Sequence, residues 1–455
     1  MAGAHDKEIL RLAVPAFLAL VAEPLFLLAD AAIVGHLGTP QLAGQGIAAV
    51  VLQTAVGLCI FLAYGTTASV ARHLGAGDAK GALAQGIDGV WLAVLIGVVV
   101  TVLGVVLTGP LVRAFGAGSS VEGYATTYLR IAWLGTTPIL VMLAATGILR
   151  GLQDTRTPLV VAVLGNAVNI VLNVVLVYGV GSFDGLGIAG SAIGTVVAQL
   201  LSALALLTVV VRGARASGAS LAPDLPGIRA AARSGVALVI RTVTLRASLL
   251  VTTYAVTLGA SGPDRPVSLA THQVAITLWG FLAFVLDAIA IAAQAITGRY
   301  LGAGDVAGTR AVTRRMVQWG AVGGVVCGVL LAASSPFLGP LFSGDPELHD
   351  LLVPVLVIAA LGQPIAGVVF VLDGVLIGAG DGRYLAWAGL AVLIVYAPAA
   401  FATAYLSGGL VAVWIAFAGV FMGARFLVLT RRARGDAWLV TGAVTTPAAT
   451  RRQAR

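Results

Sequence analysis

Charged side chains are scarce in this chain of 455 residues, where Asp, Glu, Lys and Arg together make up 10% and hydrophobic residues make up 59%. A soluble domain is typically about one quarter charged. So few charges cannot cover the surface of a water-soluble fold of this length, and the mean hydropathy of +1.01 agrees. The composition predicts an all-α polytopic membrane protein.

Cysteine and histidine are also rare. Cys59 and Cys327 are isolated in apolar runs, and the five histidines are scattered along the chain. This pattern excludes a disulfide framework and predicts no metal site. No loop is long enough to hold the active site of an intramembrane acyl- or glycosyltransferase. We therefore expect neither an enzyme nor a bound cofactor.

Twelve apolar runs follow one another, each long enough to cross a bilayer as a helix of roughly 20 residues. They lie near 12–33, 45–70, 87–109, 123–147, 158–179, 187–211, 234–259, 267–296, 314–335, 351–377, 385–406 and 408–430. The first run is long and lacks a small-residue cleavage site, so we do not expect a cleaved signal peptide.

Basic residues are biased to one side of the predicted membrane. With a cytoplasmic N-terminus, most of the 27 Lys and Arg residues, Arg425 included, fall in cytoplasmic segments, whereas Arg113 and Arg265 fall in outside loops. This asymmetry is typical of cytoplasmic loops, so both termini are expected in the cytoplasm, with the protein in a bacterial plasma membrane. The net charge of +8 is thus a topology signal, and no basic folded domain is present to bind nucleic acid.

The sequence repeats itself at an offset of 227 residues. ARHLGAGDAKGA at 71–82 aligns with GRYLGAGDVAGT at 298–309, GILRGLQDTR at 147–156 with GVLIGAGDGR at 374–383, and LAGQGIA at 42–48 with LATHQVA at 269–275. Three matches at one offset indicate a duplication. Because six spans per repeat is an even number, the two lobes have the same topology and form a parallel repeat.

The repeat defines the expected domains. An N-lobe covers 1–211, a cytoplasmic linker 212–233, a C-lobe 234–431 and a basic tail 432–455, which we expect to be disordered near anionic lipid. The LGAGD loops lack the Lys-Ser/Thr pair of a phosphate-binding loop. They are interpreted as tight turns whose aspartate caps a helix or pairs with a basic neighbour. Two lobes around a cavity suit alternating access.

Several segments resemble one transporter family. RLAVPAFLALVAEPLFLLADAAIVGHLGTPQLAG, at the first span, is similar to the first helix of the multidrug and toxic compound extrusion (MATE) transporters. The segments LVIRTVTLR at 238–246, FVLDAIAIAAQAITGRYLGAGD at 284–305 and FVLDGVLIGAGD at 370–381 resemble its DinF branch. The resemblance implies export of amphipathic, often cationic, organic compounds, driven by protons or sodium.

The resemblance also implies a coupling site. In the family the aspartate of the first helix binds the proton or cation, and that position here is Asp30. The family usually carries a second aspartate on helix 5, where this sequence has Asn173. The coupling role therefore falls more heavily on Asp30, and protons are favoured over sodium.

The chemistry and depth of the residues also indicate a site at Asp30. At a rise of 1.5 Å per residue, Asp30 lies about 27 Å above the start of span 1, and Asn173 about 22 Å above the start of span 5. Asn166, Asn169 and Asn173 share one helical face, so we expect them to meet Asp30. A carboxylate at such depth is rarely present without a function, whereas the asparagines alone could simply join helices.

Glu23 lies seven residues before Asp30, on the same side of the helix. It is either a second carboxylate of the ion pathway or a structural acid beside Pro24. Pro15 and Pro24 can each free a backbone carbonyl and bend the first helix, which would suit either a gate or a static kink.

The C-lobe carries a different set of charges. Arg241 and Asp287 lie at similar depths and are expected to pair, with Asp373 able to join and Arg246 one turn higher. A structural or gating ion-pair network is favoured here over a second ion site. Asp30 maps onto Thr257 across the repeat, so the lobes are not expected to share a mechanism. His272 and Gln273, near the outer face, are interpreted as bonded interfacial residues.

Together these features predict a monomeric proton-coupled, or less favourably sodium-coupled, antiporter that exports amphipathic small molecules. The alternative within transport is a flippase for a lipid or a lipid-linked precursor, which would favour a larger and more basic central cavity. A purely structural membrane subunit would have no need of Asp30.

Overall fold

The computed structural model describes residues 2–260, 265–406 and 409–444. Twelve helices in these ranges are long and apolar enough to cross a membrane, which confirms the predicted number of spans. Helices α1 to α6 are Ala2–Gly35, Thr39–Gly75, Ala79–Arg113, Ser119–Gly151, Arg156–Tyr178 and Ile188–Ala216. Helices α7 to α12 are Leu225–Gly259, Arg265–Gly302, Val306–Phe342, Pro346–Gly378, Gly382–Leu406 and Leu410–Arg434.

Most helices extend beyond the predicted spans, because hydropathy marks only the apolar centre of a helix. Helix α1 continues through both Pro15 and Pro24. Helix α2 is interrupted between Leu58 and Phe61, α4 contains a 3₁₀ turn over Trp133–Gly135, and α12 contains a π-helical turn over Phe417–Phe421. Such π turns occur often at functional sites.

The chain divides into two compact units. Unit 1 consists of Met1–Ala13 and Val236–Arg455, and unit 2 of Val14–Gly235. The second unit thus includes the predicted linker, and α7 begins within it at Leu225.

Charge pairs join the start of α1 to the rest of unit 1. Asp6 accepts hydrogen bonds from Arg315 Nε at 2.6 Å and Nη2 at 2.8 Å, and from Trp319 Nε1 at 2.8 Å. Glu8 pairs with Arg299 of α8. These contacts were not predicted from the sequence.

The repeated loops adopt one turn geometry. Gly77 and Gly304 have φ angles of 77° and 76°, and the aspartate that follows each one caps the next helix. Asp78 accepts from the Gly81 backbone N–H at 2.8 Å and Asp305 from that of Gly308 at 2.7 Å, which confirms the capping prediction. The backbone bonds around each glycine are those of a Schellman turn.

The second pair of repeated loops uses the same turn. Gly380 has φ 74°, and its counterpart at offset 227 is Gln153, with φ 66°. Gln153 is the only described residue other than glycine with a positive φ. Because glycine alone adopts this region without a steric penalty, the loop at Gln153 is a strained copy of the loop at Gly380.

A seam of glycines lets α9 pack closely on α10. A Cβ atom on Gly324 would lie 2.3 Å from the carbonyl oxygen of Gln363, and one on Gly367 would lie 1.9 Å from that of Gly320. Small residues at four-residue spacing let transmembrane helices approach closely. Cys327 lies on α9 beside this seam, and both cysteines are free and buried.

The expectation of a disordered tail is wrong for residues 435–444. Trp438 is 1% exposed, and its Nε1 donates to the carbonyls of Ala433 at 3.2 Å and Gly435 at 3.0 Å. Gly442 donates to the Leu301 carbonyl at 3.0 Å. A buried indole therefore ties this segment to unit 1. The rest of the predicted tail, residues 445–455, lies outside the described residues.

Candidate functional site

Asp30 lies on α1 and is 4% exposed. Its carboxylate accepts hydrogen bonds from three side chains. Asn173 Nδ2 donates to Oδ1 at 2.6 Å, Ser191 Oγ donates to the same oxygen at 2.8 Å, and Gln45 Nε2 donates to Oδ2. The donors come from α5, α6 and α2, so four helices of unit 2 meet at one carboxylate.

The walls of the site are also buried. Gln45 is 6% exposed, and Asn173 and Ser191 are 0% exposed. Tyr128 of α4 is buried and lies within hydrogen-bonding range of the Asp30 carboxylate. Hydrogen bonds to a charged group are shorter and roughly twice as strong as neutral ones. These donors therefore favour the ionised carboxylate, whereas its burial away from water opposes ionisation.

Acceptor oxygens in the site are left unused. Asn173 donates through Nδ2, and its Oδ1 is buried without a hydrogen-bond partner among the described residues. That oxygen is directed at α6, where a Cβ atom on Gly194 would lie 2.2 Å away. Asn169 is 3% exposed, and its Oδ1 also lacks a partner. Buried polar atoms are nearly always paired, so these two oxygens are acceptors that the described residues leave unused.

The remaining predicted residues of this lobe, Asn166 and Glu23, have no hydrogen bond to the carboxylate among the described contacts. Asn166 Nδ2 donates to the Ala22 carbonyl of α1 at 3.3 Å, which is the helix-joining role considered above. Glu23 is exposed, and the structure gives it no hydrogen bond or ion pair among the residues it describes. The structure thus brings Asn173 to Asp30, places Asn169 in the same buried face, and leaves Asn166 and Glu23 outside the direct contacts.

Unit 1 contains a separate ion-pair cluster. Arg241 donates through Nε at 3.1 Å to one oxygen of Asp373 and through Nη2 to the other. The sequence predicted a pair between Arg241 and Asp287, with Asp373 able to join it. In the structure Asp373 is the carboxylate that Arg241 binds through two nitrogens. Arg246 is exposed and is not part of the described cluster.

Arg425 was placed among the cytoplasmic residues, and that assignment is wrong. Its side chain is 10% exposed, and its Nη2 lies 3.7 Å from Asp373 Oδ2. Asp287 acts on it electrostatically. The guanidinium also lies over the rings of Phe370 and Phe421, 5.9 and 5.7 Å from their centroids. Its position inside the last apolar run, 408–430, was the sequence signal that could have placed Arg425 within the membrane.

The cluster borders a small cavity of about 20 Å³ within unit 1. Its walls carry Arg241, Asp373 and Arg425, and otherwise mainly apolar side chains of α7, α11 and α12. Among the residues that the structure describes, no group of three or more His, Cys, Asp or Glu side chains could hold a metal ion. The two units therefore contain different polar centres.

Comparison with known proteins identifies the family. The MatE family model matches residues 15–175 and again 246–422. This chain belongs to the MatE family. The two matches fall one in each half, as the duplication requires. MatE proteins are transporters rather than enzymes, and this one is a multi-pass membrane protein for the efflux of small molecules.

Relatives come from plants and bacteria. Protein DETOXIFICATION 44, chloroplastic, of Arabidopsis thaliana is 32% identical, over 85% of this chain and 74% of its own length. DNA damage-inducible protein F of Escherichia coli is 29% identical, over 82% and 81%. A solved MOP superfamily transporter from Pyrococcus furiosus has the same fold, with a TM-score of 0.83 at 21% identity over 94% of this chain and 96% of the other.

Proposed function

We propose that this MatE transporter is a proton-coupled antiporter that exports amphipathic organic compounds, with Asp30 as the group that carries the proton. The single observation behind the proposal is the geometry of Asp30. It is a buried carboxylate that has no cationic partner among its described contacts and accepts hydrogen bonds from three helices. Charge at this position can therefore change only by binding a proton or a cation.

Protonation would force a rearrangement. An ionised carboxylate only accepts hydrogen bonds, whereas a protonated one also donates. All three neighbours now donate to Asp30, so a new O–H group needs an acceptor. The unpaired Oδ1 of Asn173 becomes that acceptor if the amide rotates. The contacts that α1 makes with α5, α6 and α2 then depend on one proton, which biases unit 2 between two arrangements.

The same donors argue for protons over sodium. Gln45, Asn173 and Ser191 all direct hydrogen atoms at the carboxylate, so a cation beside Asp30 would face positive partial charges. Sodium binding requires the amides of Gln45 and Asn173 to turn their oxygens inward. A second carboxylate in place of Asn173 would have favoured a cation, but an amide contributes no charge.

The other parts of the chain fit this proposal. The basic cytoplasmic loops support a bacterial plasma membrane location with both termini inside the cell. The cluster of Arg241, Asp373 and Arg425 serves as a structural or gating network, because its charges are already paired. We infer that the transporter functions as a monomer within the bilayer and without a bound cofactor.

The test is uptake of a fluorescent organic cation into inverted vesicles under a proton gradient, with and without a sodium gradient. Asp30→Asn should abolish proton-driven uptake because it cannot ionise. Uptake that depends on sodium would assign Asn173 to a cation site instead. Uptake that needs neither gradient, or an Asp30→Asn variant that matches the wild type, would overturn the proposal and favour the lipid flippase.

A further inference from the structure

The repeat places a histidine at the counterpart of a site residue. At offset 227, Gln45, which donates to Asp30, corresponds to His272, and Asn169 corresponds to Tyr396. Helix α8 is likewise the counterpart of α2, and α7 is the counterpart of α1. The C-terminal half therefore has its own polar side chains at these positions, although Asp30 itself corresponds to Thr257.

The surroundings of His272 repeat the helix arrangement around Gln45. His272 is 2% exposed, and among the histidines that the structure describes it is the one that is buried. Its Nε2 forms a hydrogen bond of 3.0 Å with Thr253 Oγ1 of α7, as Gln45 of α2 bonds to α1. The ring also meets Trp414 of α12 edge-on, with centroids 5.9 Å apart.

Two polar atoms at this place, and one on the adjoining residue, have no hydrogen-bond partner among the residues that the structure describes. They are Nδ1 of His272, Nε1 of Trp414 and Oγ1 of Thr271, and all are buried. Trp414 contacts the ring of His272, so two of the unpaired atoms belong to one locality, and Thr271 precedes His272 in the chain on a different face of the helix. Because buried polar atoms are nearly always paired, their concentration at an imidazole indicates a site that binds something in the course of its function.

We propose that His272 is a second proton-binding group, in the C-terminal unit, at the counterpart of Gln45. This inference rests on the proposed proton-coupled transport. A proton from hydronium on the outer side binds the lone pair of Nδ1, giving an imidazolium whose other nitrogen keeps its bond to Thr253. The proton later returns to water on the cytoplasmic side, and no other bond forms or breaks.

The neighbours of His272 determine which conformation the protein favours once the ring has bound a proton. Its described contacts come from Thr253 of α7 and Trp414 of α12, and neither residue is charged. Helix α11 contributes Tyr396, whose hydroxyl lies 2.6 Å from Thr252 Oγ1, the residue before Thr253 in the chain. A buried imidazolium with no carboxylate beside it is unfavourable, so a protonated His272 favours a conformation in which water reaches the ring.

The two proposed sites thus respond to a proton in opposite ways. Asp30 loses its charge when it binds a proton, and His272 gains one. The proton on Asp30 removes a charge from a buried site in unit 2. The proton on His272 adds a charge to a buried site in unit 1, which is unfavourable. This difference follows from the residue types alone and gives the two halves separate roles.

The experiment counts protons per transported molecule. Purified protein in liposomes is given opposing gradients of protons and of ethidium, a fluorescent organic cation, and the gradient ratio at zero net flux gives the coupling number. His272→Gln installs the residue found at Gln45 and should lower this number by one. Thermal unfolding of the variant checks its fold. An unchanged number in a folded variant would mean that His272 holds only structural water, and would overturn the proposal.

A second measurement does not require a folded His272 variant. In Asp30→Asn, ethidium binding in weakly buffered solution should still change the number of protons bound to the protein. No proton change in that variant would also overturn the proposal. Failure of the Asp30 assignment is separate, because it would leave driven uptake intact in Asp30→Asn whatever His272 does.

Discussion

The substitution Gly194→Ala tests the Asp30 site without touching either partner of its key hydrogen bond. A Cβ atom on Gly194 would lie 2.2 Å from Asn173 Oδ1, whereas ordinary contact begins near 3.4 Å. The Asn173 amide must therefore move by about 1 Å. Its 2.6 Å bond to Asp30 would then stretch beyond hydrogen-bonding distance.

The size of the effect follows from the charge on the acceptor. A hydrogen bond to a charged group contributes about 1.5–3 kcal/mol, and about 1.4 kcal/mol corresponds to a factor of ten in an equilibrium. We expect proton-driven uptake by Gly194→Ala to fall by roughly 10- to 100-fold. The assay is the initial rate of uptake in liposomes at equal protein density.

Gly46→Ala is the matched control. Gly46 follows Gln45 in α2, and a Cβ atom there would meet nothing within 4 Å. The control should transport within about twofold of the wild type, since a surface substitution changes stability by at most about 0.5 kcal/mol. Equal rates in the two alanine variants would refute the role given to the contact between Asn173 and Asp30.

Three further experiments, with five substitutions in all, test other parts of the structure by thermal unfolding or proteolysis. Gln153→Gly removes a left-handed non-glycine residue and should stabilise the protein by about 1 kcal/mol, whereas Gly380→Ala in the repeated loop should destabilise it by a similar amount. Asp373→Asn removes the carboxylate that Arg241 binds through two nitrogens and should destabilise the protein by about 3–5 kcal/mol. Asp436→Asn, at an exposed aspartate that pairs with Arg310, should cost less than about 1 kcal/mol. Trp438→Ala removes the indole anchor, so proteolysis of the C-terminal segment should become several-fold faster; an unchanged rate would mean that other contacts hold it.

Local properties of the sequence were sufficient to predict the membrane spans, the capped turns and the depths of Asp30 and Asn173. Hydropathy gave the twelve spans, because a bilayer selects for long apolar helices whatever their packing. The LGAGD motif predicted capped turns from glycine and aspartate chemistry alone. The rise of a helix placed Asp30 and Asn173 at similar depths, and the structure joins them by a hydrogen bond.

The partners that come from other helices could not be predicted. Gln45 and Ser191 are ordinary polar residues of apolar runs, and nothing in the sequence states which neighbour each will face. Arg425 was assigned by charge to the cytoplasm, whereas its pairing with Asp373 depends on how α12 packs on α10. Trp438 was missed because a short basic tail with few apolar residues is typical of disorder.

The two buried cysteines provide a ready-made pair of reporters. Cys59 is 7% exposed and lies at the interruption of α2, while Cys327 is 6% exposed and lies on α9 beside the glycine seam. A helix interruption is a place where a few backbone angles can absorb a change of shape, whereas a glycine seam has no room to move. The native protein therefore carries one thiol at a potential hinge and a second as an internal reference. A membrane-permeable maleimide could follow the transport cycle without any engineered cysteine.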